Sequence, residues 1–433
     1  MEGRKKSIYI CRHQVGRSFL WILIVAPAIV DWLHGFAVAH FGISVIASTY
    51  RLALLALAFG LLIFRPTWVS IWLNLVYALY VVLALLSWSM VSQIYLAEEI
   101  PRVANVLFLP ACIVILEFSA RRLQITEQDI INQLVTYGTI TAAIVVLSLI
   151  LGIGEPTYYK PLTGVYGFGT QSYYIEGNVL GLTLVVSLAV ALCRLAETIS
   201  MKHAIIAGTI FAGAFCVGSR TGLIVSTLLV LAALLFLLVF TSGQIFRRLA
   251  LAAAIVPLLA YGLVTSYGVI SEYSHMTERF QELAVGQVRG EHSAAAWRMV
   301  SAKPAVKRIT GESFAVHLRQ YAFHTPKKGV DSAAAESDPV DTIGAYGYIG
   351  LVIMYLPYAI GFSYAALQAV VTRRRIFVVA SIGLALFIGH SILAGHVLFS
   401  SKSTQLASVF IFLALWAPVL MKNRATLLSR VDS

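Results

Sequence analysis

The chain alternates between long apolar stretches and short charged segments. Runs without Asp, Glu, Lys or Arg that approach or exceed the ~18 residues a membrane-spanning helix needs cover 66–97, 130–154, 177–193, 203–219, 221–246, 249–271, 342–372, 376–401 and 403–421. The stretch 18–64 can hold two more helices that meet near His40–Gly42, and 101–117 can hold a twelfth. A transmembrane barrel would show alternating polarity instead. The pattern predicts an all-α polytopic membrane protein with about twelve transmembrane helices.

Composition agrees with this class and excludes most soluble folds. Of the 433 residues, 59% are hydrophobic and 12% are charged, about half the charged fraction of a typical soluble domain. A net charge of +12 would favour a nucleic-acid partner in a soluble protein. In a membrane protein the same charge first indicates which side of the bilayer each loop faces, so we expect no nucleic-acid partner.

The lysines and arginines of the short connections fall on every second connection, as the preference for cytoplasmic cations requires. The segments expected in the cytoplasm hold 18 cations and six anions, and the remaining 14 cations and 14 anions cancel. Both termini are therefore predicted to be cytoplasmic. The predicted organisation is nine transmembrane helices in 1–271, with an outer loop at 152–176; a large, partly helical periplasmic loop at 272–341; and three transmembrane helices with a cytoplasmic tail in 342–433.

The outer loop 152–176 is rich in tyrosine, glycine, threonine and amide groups. Tyrosine combines a flat apolar face with a hydroxyl group, which suits the binding of sugar rings. An aromatic belt at the membrane interface would have the same composition, and the residues alone leave both interpretations open. The candidate sugar-binding residues are Tyr166, Tyr173, Tyr174, Glu176 and Asn178.

The large loop carries balanced charge, with nine cations and nine anions in 272–341. Cations and apolar residues alternate around Trp297 and Arg298, which predicts an amphipathic helix lying on the membrane face. Its histidines include His317 and His324, which lie seven residues apart, a spacing compatible with one helix. A metal site formed by these histidines is a minor alternative to a site without metal. No cysteine pattern of a disulfide framework or a zinc site is present.

Three carboxylates stand directly before the helix expected near Thr342. Glu336 is the candidate general base, because a partly desolvated carboxylate near cations suits proton transfer. Asp338 and Asp341 are further catalytic candidates. For these two, a turn before Pro339 and a helix cap, respectively, are the favoured alternatives.

Single charges inside apolar stretches usually form an ion pair or have a function, because placing an arginine near mid-bilayer costs about 2.5–3.5 kcal/mol of insertion free energy. Arg220 lies between two apolar runs at the outer face. Its guanidinium suits bidentate binding of a phosphate, and snorkelling to the interface is the alternative. Asp31 and Arg51 lie in the first two predicted helices, and we expect them to neutralise each other.

Three segments resemble motifs of the O-antigen polymerase and ligase superfamily of bacterial membrane glycosyltransferases, which have a GT-C-like fold. Ser219-Arg220-Thr221-Gly222 is similar to the family's Ser-Arg-[Thr/Gly]-Gly segment, and Gly177-Asn178 with Gly181 is similar to its Asn-containing helix start. The segment 336–350 resembles the family's His-Asn-x-x-Leu-x-x-x-x-x-x-Gly-x-x-Gly ending of the large loop. There Gly347 and Gly350 match, and Glu336 stands where the family has His.

The resemblance implies a metal-independent transfer of sugars at the periplasmic face of the bacterial inner membrane, from an undecaprenyl-pyrophosphate-linked oligosaccharide and without a cofactor. Arg220 would bind the pyrophosphate together with Arg289 or Arg298, since the family's loop arginine has no direct counterpart here. Implied partners are membrane lipids, a chain-length regulator and a flippase. The expected function is a polysaccharide polymerase; a ligase that moves glycan to a lipid A core and a secondary transporter or flippase are the alternatives.

Overall fold

The computed structural model describes residues 2–91, 95–157, 159–160, 165–166, 169–219, 221–240, 287–324 and 337–431. Most of this part of the chain is helical, and eight of its helices are long and apolar enough to cross a membrane. A ninth span results if Ser401–Leu415 and Ala417–Ser429, which are bent by 74°, count as one. The expected class, an all-α polytopic membrane protein, is confirmed at this level.

The helices are numbered in chain order, with two five-residue π-helical turns at Trp21–Val25 and Thr221–Val225. Their bounds are α1 Glu2–Leu20, α2 Ala26–Phe41, α3 Ile46–Phe64, α4 Trp68–Ser89, α5 Leu96–Arg122, α6 Glu127–Leu151, α7 Gly177–Glu197, α8 Met201–Val217, α9 Ser226–Phe240, α10 Gln287–Ala302, α11 Ala305–Thr310, α12 Phe314–His324, α13 Asp338–Thr372, α14 Arg375–Ala394, α15 Ser401–Leu415 and α16 Ala417–Val431.

Most predicted spans agree with these helices where the structure describes them, but the predicted span 403–421 is divided by the 74° bend between Leu415 and Ala417. The first two spans are separated at Gly42, where a left-handed backbone (φ 67°) ends α2, which confirms the predicted junction. Two helices shorter than a full span, Met201–Val217 and Thr221–Leu235, coincide with the predicted runs 203–219 and 221–246. The predicted span 249–271 lies outside the described residues, so the total of twelve stays a prediction.

The chain forms two compact units. Unit 1 contains Met1–Arg51, Ile125–Phe280 and Leu427–Ser433, and unit 2 contains Leu52–Gln124 and Gln281–Thr426. Inside each unit, segments predicted to face the same side contact each other. In unit 1, His13 Nε2 lies 2.9 Å from the Asp129 carboxylate, and in unit 2 the Asn423 amide donates to the Ala120 carbonyl at 2.8 Å. These two contacts are what the predicted alternation requires, and the side that each segment faces stays a prediction.

Asp31 and Arg51 form the ion pair expected from the sequence. Arg51 Nη2 donates to Asp31 Oδ1 at 2.7 Å, and the Asp31 side chain is 4% exposed. Since both charges lie within spans, their pairing removes the cost of an isolated charge in the membrane. The prediction of mutual neutralisation is confirmed.

The tyrosine-rich segment 152–176 contains four short strands, which the expectation of an all-α chain missed. Strand β1 (Glu155–Pro156) pairs antiparallel with β4 (Thr170–Ser172), and β2 (Tyr159–Lys160) pairs with β3 (Val165–Tyr166). Two- and three-residue strands are too short to produce a visible period of two in the sequence. Their pairing satisfies part of the backbone donors and acceptors of this segment, and further backbone bonds, such as that from the Thr157 N–H to the Gly169 carbonyl at 3.1 Å, add to it.

The described part of the large loop, 287–324, folds into α10, α11 and α12, in agreement with the expected partly helical loop. Helix α10 contains the predicted amphipathic segment. Ala296 and Val300 are buried, whereas Trp297 is 45% exposed. These buried and exposed positions show that the helix has two faces; its placement on a membrane surface stays a prediction.

Candidate functional site

In unit 1 the tyrosine-rich loop packs onto the turn at the end of α8. Thr157 Oγ1 donates to the Val217 carbonyl at 2.5 Å. A Cβ on Gly169 would lie 2.3 Å from the same oxygen, so this loop backbone approaches α8 too closely for a side chain. The loop 152–176 is therefore fixed beside the segment that precedes residue 220.

Two of the segments that carry the family resemblance also contact each other. Ser219 is fully buried, and its Oγ accepts from the Gly222 N–H at 3.0 Å, as a helix N-cap does. A Cβ on Gly181 would lie 1.9 Å from the same Oγ, so glycine is needed at that position of α7. Arg220, the candidate pyrophosphate ligand, lies outside the described residues.

Tyr173 belongs to an aromatic cluster with the second half of the first span. Its ring centroid lies 5.7 Å from that of Trp32 and 5.2 Å from that of Phe36. The Tyr173 hydroxyl is 3.0 Å from His40 Nε2, and His40 is exposed. The cluster presents apolar ring faces together with polar groups, which suits either a sugar ring or a membrane interface.

The other candidates of this loop differ in exposure. Tyr174 is buried, its hydroxyl donates to the Ala28 carbonyl at 2.7 Å, and burial raises the pKa of that hydroxyl. This contact gives Tyr174 a structural role. Glu176 is the exposed N-cap residue of α7, and the half-buried Asn178 follows in its first turn. Tyr166 lies in β3.

In unit 2 the helix expected near Thr342 begins four residues earlier, at Asp338, with Ser337 as its N-cap residue. Asp341 therefore lies inside the first turn, and the interpretation of Asp341 as a cap is wrong. Asp338 likewise belongs to the helix rather than to a turn before Pro339. The reason is that proline in a first turn loses only an N–H that the helix does not use, so Pro339 favours an early start.

Asp338 is almost fully buried and holds the connection between α14 and α15. Its carboxylate accepts hydrogen bonds from Ser391 Oγ at 2.7 Å and from the backbone N–H groups of His396, Val397 and Leu398 at 2.7, 2.8 and 3.1 Å. Oδ2 accepts three of these bonds and Oδ1 accepts one, so four protein donors already surround a group that has about four acceptor sites. We therefore expect Asp338 to position this connection rather than to accept a proton from a substrate.

Asp341 forms a buried pair with His317 of α12, which the sequence did not predict. The His317 Nε2 atom lies 3.3 Å from Asp341 Oδ1, and the His317 side chain is fully buried. Its Nδ1 has no hydrogen-bond partner. A Cβ on Gly344 would lie 2.1 Å from that nitrogen, so the imidazole packs directly against the α13 backbone. Such a pair can hold and release a proton.

A break in α13 positions these residues. Gly347 has φ 68° and ψ −173°, which divides the helix after its first nine residues. A Cβ at this position would lie 2.0 Å from the Ile309 carbonyl oxygen, so α11 fits against the break. The nearby Ala345 carbonyl accepts from the Ser313 N–H at 3.1 Å. The glycine matched in the resemblance thus has a structural role.

Glu99, near the start of α5, anchors the large loop and was not a sequence candidate. It is fully buried. Its carboxylate accepts from Ser313 Oγ and the Ala315 N–H, both at 2.7 Å, and from Trp88 Nε1 at 3.1 Å; the Tyr346 hydroxyl is 3.4 Å away. Four neutral donors from three parts of unit 2 therefore converge on one carboxylate.

A second charged cluster joins α10 and α11 to the start of α12. Glu312 is 2% exposed and lies 2.5 Å from Lys303 Nζ and 2.8 Å from Lys307 Nζ. Burial alone would raise the pKa of Glu312, but the two lysines outweigh it and hold the pKa below its ordinary value. Burial lowers the pKa of Lys303, and Glu312 partly opposes that shift.

The two candidate arginines of the loop lie on one helix. Arg298 is exposed, and no carboxylate of the described chain forms an ion pair with it. Residue 289 lies nine positions earlier in α10.

Within the described ranges, no group of three or more His, Cys, Asp or Glu residues could hold a metal ion. None of the four cysteines forms a disulfide. Comparisons with protein-family models and with curated proteins gave no match. The assignment of a function therefore depends on the residues and contacts of this chain.

Proposed function

We propose that this protein is a polysaccharide polymerase that joins undecaprenyl-pyrophosphate-linked repeat units at the periplasmic face of a bacterial inner membrane, with a GT-C-like arrangement of helices. The observation that carries the proposal is the buried His317–Asp341 pair where the large outer loop joins α13. Acid–base side chains beside a span are costly in an apolar chain and usually functional. The family resemblance of residues 177–181, 219–223 and 336–350 supplies the reaction class.

The proposed reaction needs one proton acceptor and a group that stabilises the leaving pyrophosphate. An acceptor hydroxyl attacks the anomeric carbon of the donor sugar, a new C–O bond forms, and the bond to the lipid pyrophosphate breaks. The hydroxyl proton goes to His317, which Asp341 contacts, or to Glu336, which remains a candidate from the sequence. Negative charge grows on the pyrophosphate, and Arg220 or the exposed Arg298 stabilises it; one such donor is worth about 10²–10³ in rate.

Reconstitution tests the proposal directly. Purified protein in lipid vesicles is given undecaprenyl-pyrophosphate-linked repeat units, and the products are resolved by length. We expect chain growth from the wild type and a loss of about 10²-fold or more in His317→Gln and Asp341→Asn. His324→Gln, on the same helix, is the matched control and should retain activity. Full-length product from His317→Gln at normal membrane levels would show that this pair is not the proton acceptor.

The same assay separates the alternatives. A single transfer to a lipid A core without chain growth would favour the ligase. A transporter is favoured by the helix breaks in unit 2, at Gly347 and at the 74° bend between Leu415 and Ala417, since transporters bind substrates where helices are broken. Movement of the lipid-linked oligosaccharide across the vesicle membrane, with no new glycosidic bond, would establish that function instead.

We propose that both termini are cytoplasmic. The 18 cations and six anions on alternate connections support this orientation. A cysteine introduced at Ser332, in a chain whose exposed Cys11 is retained, provides an internal comparison. An impermeant thiol reagent added to intact cells should label Ser332→Cys, whereas Cys11 should react only after permeabilisation. The reverse pattern would invert the orientation.

A further inference from the structure

A polar cavity lies at the opposite end of unit 2 from the His317–Asp341 pair. Its volume is about 540 Å³. The turn between α3 and α4, the last turns of α5 and the first half of α16 form its walls. It is lined by Leu61, Arg65, Pro66, Thr67, Ser70, Val114, Glu117, Phe118, Arg121, Arg122, Gln124, Val419, Lys422, Asn423 and Thr426.

The charges around this cavity are strongly unbalanced. Four cations line it, and Glu117 is its single carboxylate. Glu117 is already engaged, because its oxygens accept from Thr67 Oγ1 at 2.5 Å and Arg121 Nε at 2.9 Å. The other cations, Arg65, Arg122 and Lys422, are exposed, and no carboxylate of the described chain pairs with them. The cavity therefore attracts an anion.

Gln124 adds a polar group whose hydrogen bonding is incomplete. Its Oε1 atom is buried without a hydrogen-bond partner, and its backbone adopts a left-handed conformation (φ 57°) that is uncommon for residues other than glycine. The oxygen and nitrogen of a side-chain amide are assigned from their hydrogen bonds, so the same terminus can present its NH₂ group to an anion. A ligand in the cavity would satisfy it.

A second, apolar cavity of about 190 Å³ lies deeper along the same helices of unit 2. Its lining residues on α4, on α5 and at the α15–α16 bend lie closer to the middle of the spans than the residues of the same helices that line the cation-lined cavity. They are Val69, Trp72, Leu73, Val76, Ile113, Leu356, Pro357, Ile360, Ile411, Leu415 and Trp416. A charged cavity with a separate apolar cavity further along the same helices suits an amphipathic ligand.

We propose that the cation-lined cavity binds the phosphate headgroup of an anionic membrane lipid, with an acyl chain along the apolar cavity. The guanidinium groups of Arg65 and Arg122 offer bidentate hydrogen bonds to phosphate oxygens, and Lys422 adds a point charge. Basic pockets between spans on the cytoplasmic side bind such headgroups. The proposal does not rest on the proposed function, because none of its residues takes part in the sugar transfer.

Two variants with the same loss of charge test the site. The pocket variant combines Arg65→Gln, Arg122→Gln and Lys422→Gln and leaves the Arg121–Glu117 pair intact. The control variant combines Arg12→Gln, Lys202→Gln and Arg373→Gln, three exposed cations that are predicted to face the same side but do not line the cavity. Binding of phosphatidylglycerol is measured by native mass spectrometry and by the thermal shift on adding it to phosphatidylcholine vesicles.

We expect the pocket variant to bind phosphatidylglycerol about 100-fold more weakly than the wild type, which corresponds to about 1 kcal/mol for each of the three cations near the surface, with the control variant unchanged. Equal losses in both variants would overturn the site. Stabilisation by inorganic phosphate alone, with no added effect of lipid, would overturn the assignment of a lipid. If the pocket variant does not fold in phosphatidylcholine, the single change Lys422→Glu replaces it with the same expected direction.

Discussion

The two ends of α5 each bury a glutamate, and they do so in different ways. Glu99 and Glu117 are 0% and 1% exposed and lie 18 residues apart, about 27 Å along the helix. Glu99 accepts only from neutral donors, supplied mainly by the large loop and its junction with α13. Glu117 accepts from Thr67 and from the half-exposed Arg121 beside an open cavity.

This contrast indicates what each end does. At the Glu99 end the chain itself satisfies the carboxylate, since all the donors that it accepts from belong to unit 2. At the Glu117 end the protein supplies more cations than it neutralises, and the space beside them is open. The first glutamate is thus bound by protein contacts, and the second lies beside a cavity that can take an anion.

The largest expected effect separates the two carboxylates. Glu99→Ala leaves the Ser313, Ala315 and Trp88 donors buried without an acceptor, at about 1–3 kcal/mol each. We expect it to lower stability by at least about 3 kcal/mol, and Glu117→Ala by clearly less, because water in the cavity can replace the acceptor. Unfolding is measured with a thiol-reactive dye in a background where Cys11, Cys193 and Cys216 are serine, so that the dye reports the fully buried Cys112. Equal destabilisation by both variants would remove the contrast.

A smaller effect depends on pH. The pKa of Glu312 is held below its ordinary value, so its stabilising effect is complete above about pH 4.3, the pKa of a glutamate in an unfolded chain. The effect is lost as the pH falls through the lower folded pKa. We expect Glu312→Gln to cost about 2 kcal/mol at neutral pH, and the difference in Tm from the wild type to close toward pH 3. A difference independent of pH would contradict a charged Glu312.

The smallest expected effects come from removing one contact of the buried glutamate at each end of α5. Tyr346→Phe removes only the hydroxyl 3.4 Å from Glu99 and should cost about 1 kcal/mol, because no water reaches that carboxylate. Arg121→Gln removes the half-exposed guanidinium that pairs with the buried Glu117 four residues earlier, and pairs at this helical spacing contribute about 0.3–0.5 kcal/mol. The thermal shift of each variant gives the comparison. A larger loss from Arg121→Gln would show that the cavity is less hydrated than its open shape implies.

Much of the fold was predictable from the sequence, because spans follow from uninterrupted apolar length. The junction at Gly42 and the Asp31–Arg51 pair followed from hydropathy and from the cost of lone charges. The start of α13 was predicted four residues too late, because a run without charged residues can begin only after Asp341. Such runs miss the start of a helix wherever its first turn contains buried, hydrogen-bonded carboxylates.

The site was less predictable for a physical reason. His317 and Asp341 are 24 residues apart on two helices, and no period or spacing connects them. Glu99 contacts residues more than 200 positions away. The sequence offered one indication, which is the adjacent pair Glu98 and Glu99 at the start of an apolar run. A carboxylate at such a position requires hydrogen-bond donors from other parts of the chain. The partners themselves depend on tertiary packing.

The hydrogen bonds of Asp338 also bear on how the protein is made. The carboxylate enters the growing chain before all of its donors, and the His396 N–H follows 58 residues later. At translation rates of roughly 5–20 residues per second, Asp338 waits about 3–12 seconds for the last of these hydrogen-bond donors. The connection between α14 and α15 therefore completes the assembly of α13, and truncation before residue 396 leaves a membrane segment with an unsatisfied acid for quality control to recognise.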